Sequence, residues 1–135
     1  MSIFTSTGTQ VDRLLTEYDQ HNKLIVAFDF DDTVFPYSDA NNDCQVVIDL
    51  LKRCQERDFY LVCFTASSSD RYDFITEHME SKGIKVASIN VNPIPLKFGH
   101  NGKIYFNILL DDRAGLPSAM AVLSEVLDTM DILYL

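Results

Sequence analysis

Two pairs of aspartates, each at the end of an apolar run, are the residues of this sequence best suited to do chemistry. The stretch IVAFDFDDTVF carries Asp29 and Asp31, which point to the same side of an extended chain because side chains alternate along a strand. The stretch NILLDD ends in Asp111 and Asp112. Clustered carboxylates repel one another, and no cluster of Lys or Arg matches them in the sequence. A bound divalent cation is therefore expected.

The donor set indicates Mg²⁺, which prefers oxygen ligands, keeps several waters and combines one or two carboxylates with a phosphate. Such an arrangement suits phosphoryl transfer. One carboxylate would attack phosphorus and form an aspartyl-phosphate, while a second would protonate the leaving oxygen and then activate water. Thr65 follows another apolar run and offers a hydroxyl for phosphate oxygens. Lys97 or Lys103 would offset the remaining negative charge.

These residues meet only if the apolar runs are strands of one parallel sheet. Four runs have strand-like length and composition, and they cover residues 24–30, 59–64, 84–89 and 104–110. Residues at helical spacing separate them, and this alternation favours right-handed parallel α/β connections. Because ligands bind at the carboxyl ends of parallel strands, we expect the acids and Thr65 to share one rim of the sheet.

The predicted fold is a single α/β domain spanning residues 1–135, a three-layer Rossmann-like sandwich with a central parallel sheet of about five strands. Asp43 is the expected N-cap of the second helix, and Ser69 or Asp70 that of the third. Gly83 should end the third helix as a C′ residue. A last helix is expected from Pro117 to residue 127, followed by a short fifth strand over residues 132–135.

Composition narrows the choice of partners. The 135-residue chain has a net charge of −9, which argues against nucleic acid and anionic membrane surfaces as partners, because both are bound mainly through Lys and Arg. No apolar run approaches the length that spans a bilayer. The N-terminal MSIFTSTGTQ lacks the layout of a signal peptide. Cys44, Cys54 and Cys63 lie in apolar patterns, so buried free thiols and a cytoplasmic location are expected.

The order of these motifs resembles that of the haloacid dehalogenase-like (HAD) superfamily of hydrolases. The first HAD motif, an apolar strand followed by D-x-D-x-T/V, matches IVAFDFDDTVF. The resemblance implies that Asp29 is the nucleophile and Asp31 the acid/base, with Thr33 at the family's Thr position. The second motif, an apolar strand ending in Thr or Ser, matches YLVCFTAS at Thr65. Asp32 departs from the pattern, because many members carry Gly at this position.

The fourth motif, an apolar strand ending in an acid pair, matches NILLDDRAG at Asp111 and Asp112. GKIYFNILLDDR resembles the ending of small cap-less members, which favours Lys103 over Lys97 as the motif lysine. The resemblance implies Mg²⁺ held by Asp29, by the backbone carbonyl of Asp31 and by Asp111. Asp112 would reach the ion directly or through a water.

Short connections imply a cap-less member. Residues 36–42 leave room only for a flap, and residues 96–102 only for a small hairpin. The site would then be open unless a neighbouring subunit of a homo-oligomer covers it. The expected activity is Mg²⁺-dependent hydrolysis of a phosphomonoester, such as a nucleotide, a sugar phosphate or a similar small phosphate.

Three alternatives differ in class. The open site suits a macromolecular substrate such as a phosphoprotein, and a non-catalytic module that binds phosphate and Mg²⁺ would use the same side chains. A receiver-like signalling domain also combines acids, Thr and Lys. It is disfavoured because its phospho-accepting Asp follows the third strand, where this chain has Asn90.

Overall fold

The computed structural model describes residues 7–93 and 104–134. These residues form four α-helices, four strands and one 3₁₀ turn. In chain order the elements are α1 (Thr7–His21), β1 (Ile25–Asp29), α2 (Gln45–Glu56), β2 (Tyr60–Phe64), the 3₁₀ turn (Ser69–Arg71), α3 (Tyr72–Ser81), β3 (Ser88–Ile89), β4 (Ile108–Leu110) and α4 (Leu116–Leu133).

The four strands form one parallel sheet in the order β3-β2-β1-β4. This confirms the prediction of a parallel α/β, Rossmann-like fold, with four described strands where about five were expected. The apolar β1 has a neighbouring strand on each side, as the burial of its first four residues requires. The three-layer arrangement stays a prediction, since the connection from β3 to β4 includes residues 94–103, which lie outside the described residues.

The strand register positions the carboxyl ends of the central strands. Asp29, the last residue of β1, is level with Phe64, the last residue of β2. On the other side Phe28 is level with Leu110. The residue after Leu110 is Asp111, so it leaves the sheet beside Asp29. The site residues therefore meet because both neighbours of β1 are parallel and in this register.

One hydrophobic core joins the sheet to the helices. Val26 and Phe28 are fully buried on one face of β1, and they belong to a cluster with buried residues of all four helices, including Leu14, Leu51, Ile75, Met79, Leu123 and Val126. Burying one such large apolar side chain stabilises the fold by about 1.5–3 kcal/mol. This core is the rigid base on which the strand ends are held.

The predicted fifth strand is wrong. Ile132 and Leu133 are the last residues of α4, and their side chains are exposed. Buried positions continue at helical spacing beyond residue 127 as far as Met130. Each residue added to an existing helix gains a backbone hydrogen bond, and Tyr134 N–H still donates to Met130 C=O at 2.8 Å. Continuing the helix therefore costs less than starting a new strand.

The two edge strands are shorter than predicted. Of residues 84–89 only Ser88 and Ile89 pair with β2, because Ile84 N–H instead donates to the end of α3 at Met79 C=O. Of residues 104–110 only Ile108–Leu110 form β4. Asn107 bonds the start of β1 through its side chain, whose Oδ1 accepts from Ile25 N–H at 2.7 Å.

Of the predicted helix caps, the C-terminal one is confirmed and the N-terminal ones are wrong by one or more residues. Gly83 follows the C-cap of α3 with a φ of +80°, which confirms it as the C′ residue. Asp43 lies one residue before the N-cap of α2, Cys44, and its carboxylate accepts from Gln45 N–H. Ser69 and Asp70 begin a 3₁₀ turn, and α3 starts only at Tyr72.

The three cysteines are free and buried, as predicted. Burial raises the pKa of Cys54 and of Cys63 to about 12, so both thiols stay protonated and pack as apolar groups. Among the described residues, no helix has the length and apolar character needed to cross a membrane.

Candidate functional site

Three carboxylates meet where β1 and β4 end. Asp29, Asp111 and Asp112 each contribute one oxygen, and these oxygens all lie within 4.8 Å of one another. Asp29 and Asp111 are half-buried, whereas Asp112 is exposed. The grouping is the one that parallel strands in this register were expected to produce. The all-oxygen donor set fits a hard divalent cation such as Mg²⁺.

Thr33 ties the two strand ends together. Its side chain is buried, and its hydroxyl donates to Asp112 Oδ1 at 3.2 Å while lying 3.5 Å from Asp29 Oδ2. The same oxygen accepts from the backbone N–H of Asp112 at 3.1 Å. Thr33 therefore fixes the distance between the two chain segments that carry the acid cluster, which consists of Asp29, Asp111 and Asp112.

In the described part of the chain, burial and the neighbouring carboxylates disfavour the ionised form of Asp29. The pKa of Asp29 is raised from its ordinary value of 3.8 to about 7, first by burial and then by the negative charge of Asp111 and contacts with Asp112. A hydrogen bond from the backbone N–H of Phe30 opposes this shift. A divalent cation among these oxygens would favour the ionised carboxylate, which is the form a nucleophile needs.

Asp31 is not one of the three close carboxylates and instead forms an ion pair. Its two oxygens accept from Arg71 Nη1 and Nη2 at 2.7 and 2.8 Å, which is the bidentate geometry of the strongest carboxylate pairs. Arg71 Nη1 also donates to Ser67 Oγ at 2.9 Å. The side chains of Asp31 and Arg71 are 29% and 25% exposed, so the pair lies at the site mouth and is reachable by a ligand.

Aromatic rings surround the Arg71 guanidinium. Its central carbon lies 5.3 Å from the ring centroid of Phe30, 5.5 Å from that of Tyr37, 5.6 Å from that of Phe74 and 5.8 Å from that of Phe35. These distances are within cation–π range. Phe30 stacks on Phe35 with centroids 5.3 Å apart. The guanidinium is thus held in place by packing as well as by its ion pair.

Thr65 is fixed by the side chain of Asn90. Asn90 Oδ1 accepts from Thr65 N–H at 2.9 Å, and its Nδ2 donates to Thr65 C=O at 2.7 Å and lies 3.0 Å from Tyr72 Oη. The amide thereby replaces a backbone partner beyond the end of β3. Thr65 Oγ1 accepts from Ser67 N–H at 3.0 Å, and its hydroxyl can still donate its proton to a ligand.

Asp32 occupies a position where glycine was expected, and it shapes the loop beside the site. Its φ of +62° lies in the left-handed region, which Asp and Asn tolerate better than other side chains. Its Oδ1 accepts from the backbone N–H groups of Tyr37 and Ser38 and from Asn42 Nδ2. The hydrogen bond to Ser38 is the main reason why the pKa of Asp32 is lowered. The side chain therefore organises the loop beside the site.

Sequence reasoning missed two partners of the predicted residues. The sequence predicts a lysine to offset the acids, whereas the structure pairs Asp31 with Arg71, the last residue of the 3₁₀ turn after β2. Sequence reasoning noted Asn90 only as a strand end. Two features of the sequence could have indicated these partners. Arg71 follows Thr65 by six residues, and Asn90 comes directly after an apolar run. Lys97 and Lys103 lie outside the described residues, so the choice between them stays a prediction.

Removing the Asn90 amide should weaken both the fold and the position of Thr65. Asn90→Gly keeps the φ of +58° free of strain and deletes the three side-chain contacts, so we expect a loss of about 1–3 kcal/mol in unfolding free energy. Asn90→Ala should cost about 1 kcal/mol more, because it adds left-handed strain. Urea unfolding of both variants measures this. Equal stability of Asn90→Gly and the unchanged protein would contradict it.

Comparison with known proteins informs the fold and no activity. No family model matches the chain, and no curated protein matches it. A solved structure that it resembles is described as a conserved protein coded by a locus of Bacteroides thetaiotaomicron. The two chains share 18% sequence identity with a TM-score of 0.64, and the match covers 84% of this chain and 99% of the other. Similarity at this identity shows the fold alone.

Proposed function

We propose that this protein is a Mg²⁺-dependent phosphatase that hydrolyses phosphomonoesters through an aspartyl-phosphate on Asp29. The observation that carries the proposal is the meeting of Asp29, Asp111 and Asp112 within 4.8 Å, at the rim where Thr65 follows the last residue of β2. The order of these residues along the chain, which resembles that of the HAD superfamily, supports it.

In the proposed reaction, one oxygen of Asp29 attacks phosphorus, and the bond from phosphorus to the ester oxygen breaks. The leaving oxygen keeps the electron pair and takes a proton from Asp31. A water molecule then attacks the phospho-Asp29 phosphorus, gives its proton to Asp31 and releases Asp29 with inorganic phosphate. These are the nucleophile and general acid/base roles that two carboxylates in unequal environments can divide between them.

The other side chains hold the reacting groups. Asp29, Asp111 and Asp112 would bind Mg²⁺, and the ion would supply positive charge that offsets repulsion between the nucleophile and the phosphate. Thr65 donates its hydroxyl proton to a phosphate oxygen. Thr33 keeps the ends of β1 and β4 at a fixed spacing through its bonds to Asp112.

Phosphate release from an aryl phosphate, with Mg²⁺ or with EDTA, tests the proposal. We expect release in Mg²⁺ and a fall of at least about 100-fold in EDTA, because removal of the ion restores repulsion at the nucleophile. Asp111→Asn should raise the Mg²⁺ concentration needed for half-maximal release. The substrate panel should include nucleotides and sugar phosphates.

Two outcomes would count against small-phosphate hydrolysis. Absence of release from every small substrate, with release from a phosphoprotein, would assign a macromolecular substrate. Absence of release from either class, with Mg²⁺ still bound, would favour a non-catalytic module. Release that is equal in Mg²⁺ and EDTA would overturn the metal-dependent mechanism.

A further inference from the structure

The ion pair between Asp31 and Arg71 must open before Asp31 can carry out the proposed proton transfer. Both carboxylate oxygens accept from the guanidinium, at 2.7 and 2.8 Å. To reach a leaving oxygen within hydrogen-bond distance, Asp31 must present one of these oxygens to the substrate. Arg71 must therefore release at least that oxygen whenever a substrate reacts.

Releasing Asp31 is costly unless the guanidinium receives another anion. A bidentate pair of charged groups is about twice as strong as a neutral hydrogen bond, and this one lies in a largely covered site. Four rings lie within cation–π range of the Arg71 guanidinium and favour its present position. An anion with two oxygens in one plane, such as a carboxylate, or with phosphate oxygens, matches the fork of donors that Asp31 leaves.

The position of Arg71 indicates which part of a substrate carries this anion. The transferring phosphate belongs beside Asp29, close to Asp111 and Asp112, where the metal would bind. Asp31 serves the leaving oxygen, and Arg71 directly contacts Asp31. Arg71 therefore borders the leaving group rather than the transferring phosphate. Tyr37 lies beside the guanidinium, and its side chain is 64% exposed. It can therefore contact the leaving group of a substrate bound there.

We propose that Arg71 determines specificity by binding an anionic group on the leaving part of the substrate, and that this exchange frees Asp31. The substrate class is a phosphomonoester that carries a carboxylate or a second phosphate near the ester oxygen. This inference rests on the proposed phosphatase function. The exchange is one of ion pairs and breaks no covalent bond; the freed Asp31 carboxylate then takes up a proton from water, which it donates to the leaving oxygen.

Matched substrates separate this role from a purely structural ion pair. The probes are short alkyl phosphates, two and three carbons long, that end either in a carboxylate or in the corresponding primary amide. We expect the unchanged protein to prefer the carboxylate at least tenfold in kcat/KM. In Arg71→Gln the preference should fall to about one, because turnover of the carboxylate probe should fall by a larger factor than turnover of the amide probe. Arg71→Lys should keep part of it, since Lys retains the charge but not the fork.

The control is Arg53→Gln, which removes the same charge at the far end of the sheet. Arg53 lies in the last turn of α2, before β2 begins, and pairs with exposed carboxylates of Asp128 and Asp131. This variant should keep the carboxylate preference. If Arg71→Gln lowers turnover of carboxylate and amide probes by the same factor, Arg71 only positions Asp31 and the proposal is overturned.

A binding experiment separates this inference from the phosphatase function. Calorimetry with Asp29→Asn in Mg²⁺ measures affinity for both probes without turnover, with and without the Arg71→Gln change. A carboxylate preference that depends on Arg71 supports the specificity role even if the unchanged protein releases no phosphate. Equal affinities for carboxylate and amide probes overturn the role even if phosphate is released. Thermal unfolding of Arg71→Gln checks that the variant is folded.

Discussion

Asp29→Asn should abolish phosphate release, lowering kcat by at least about 10⁴-fold, because an amide cannot attack phosphorus. Asn has nearly the same shape as Asp, so the backbone of β1 and the nearby Thr33 should keep their places. Release from an aryl phosphate in Mg²⁺, measured over hours to detect residual turnover, checks this. The substitution also removes a charge that the metal-free site disfavours, so the variant should be at least as stable as the unchanged protein at pH 8.

The control for this variant is Asp12→Asn, which makes the same chemical change at an exposed position of α1. It should leave both turnover and unfolding free energy unchanged within about 0.5 kcal/mol. Release by Asp29→Asn at the rate of the unchanged protein would contradict Asp29 as the nucleophile. Loss of release accompanied by unfolding would show a structural role, which the stability measurement would reveal.

The metal-free protein should lose stability as the pH rises from about 4 to about 7, and Mg²⁺ should restore it. The pKa of Asp29 is about 7 in the fold against 3.8 as its ordinary value. Between these values the folded state holds a proton that the unfolded state has lost. The stability that this proton contributes is fully present below about pH 4 and is gone above about pH 7.

The size of the effect follows from the two pKa values. A difference of about three units corresponds to at most about 4 kcal/mol. Solvent screening at this half-buried carboxyl reduces the expected loss to about 1–2 kcal/mol. At pH 8, Mg²⁺ at 100 times its dissociation constant should add about 2.7 kcal/mol of unfolding free energy. At pH 5, where Asp29 is protonated, the same ion should add much less.

Urea unfolding at pH 5, 6, 7 and 8, in EDTA and in Mg²⁺, measures both parts of this prediction. Asp29→Asn provides the comparison, because without the Asp29 carboxyl the contribution of this residue to the pH dependence disappears. Curves for the two proteins that run parallel from pH 5 to 8 in EDTA would contradict a raised pKa at Asp29. An equal Mg²⁺ effect at pH 5 and 8 would contradict binding through its ionised form.

The parts of the fold that follow from backbone periodicity could be predicted from the sequence. The buried runs at β1 and β2 and the helices between them were expected, and so was the meeting of Asp29 with Asp111, because parallel strands end on the same rim. The helical conformation of residues 132–133 was not predicted in this way. Ile132 and Tyr134 are residue types that favour strands, but α4 continues to Leu133.

The detailed contacts of the site depend on loops, where periodicity carries no information. The pairing of Asp31 with Arg71 requires the 3₁₀ turn that follows Ser68, and no spacing rule joins residues this far apart. Asn90 binds Thr65 while its own backbone is in a left-handed conformation. A conformation adopted by a single residue leaves no periodic pattern in the sequence. The left-handed φ of Asp32 was predictable in outline, because the motif it matches often has glycine there.

Among the described residues, the two outer strands of the sheet are short. The outer strands β3 and β4 contain two and three residues, whereas the central β1 and β2 contain five each. Beyond the ends of β3 and β4, the side-chain amides of Asn90 and Asn107 provide the hydrogen bonds that further strand residues would have made. Long open edges recruit other chains into aggregates. An amide pairs with one neighbour and then ends the ladder, so these two asparagines limit intermolecular sheet growth while keeping the strand ends of β1 and β2 in place.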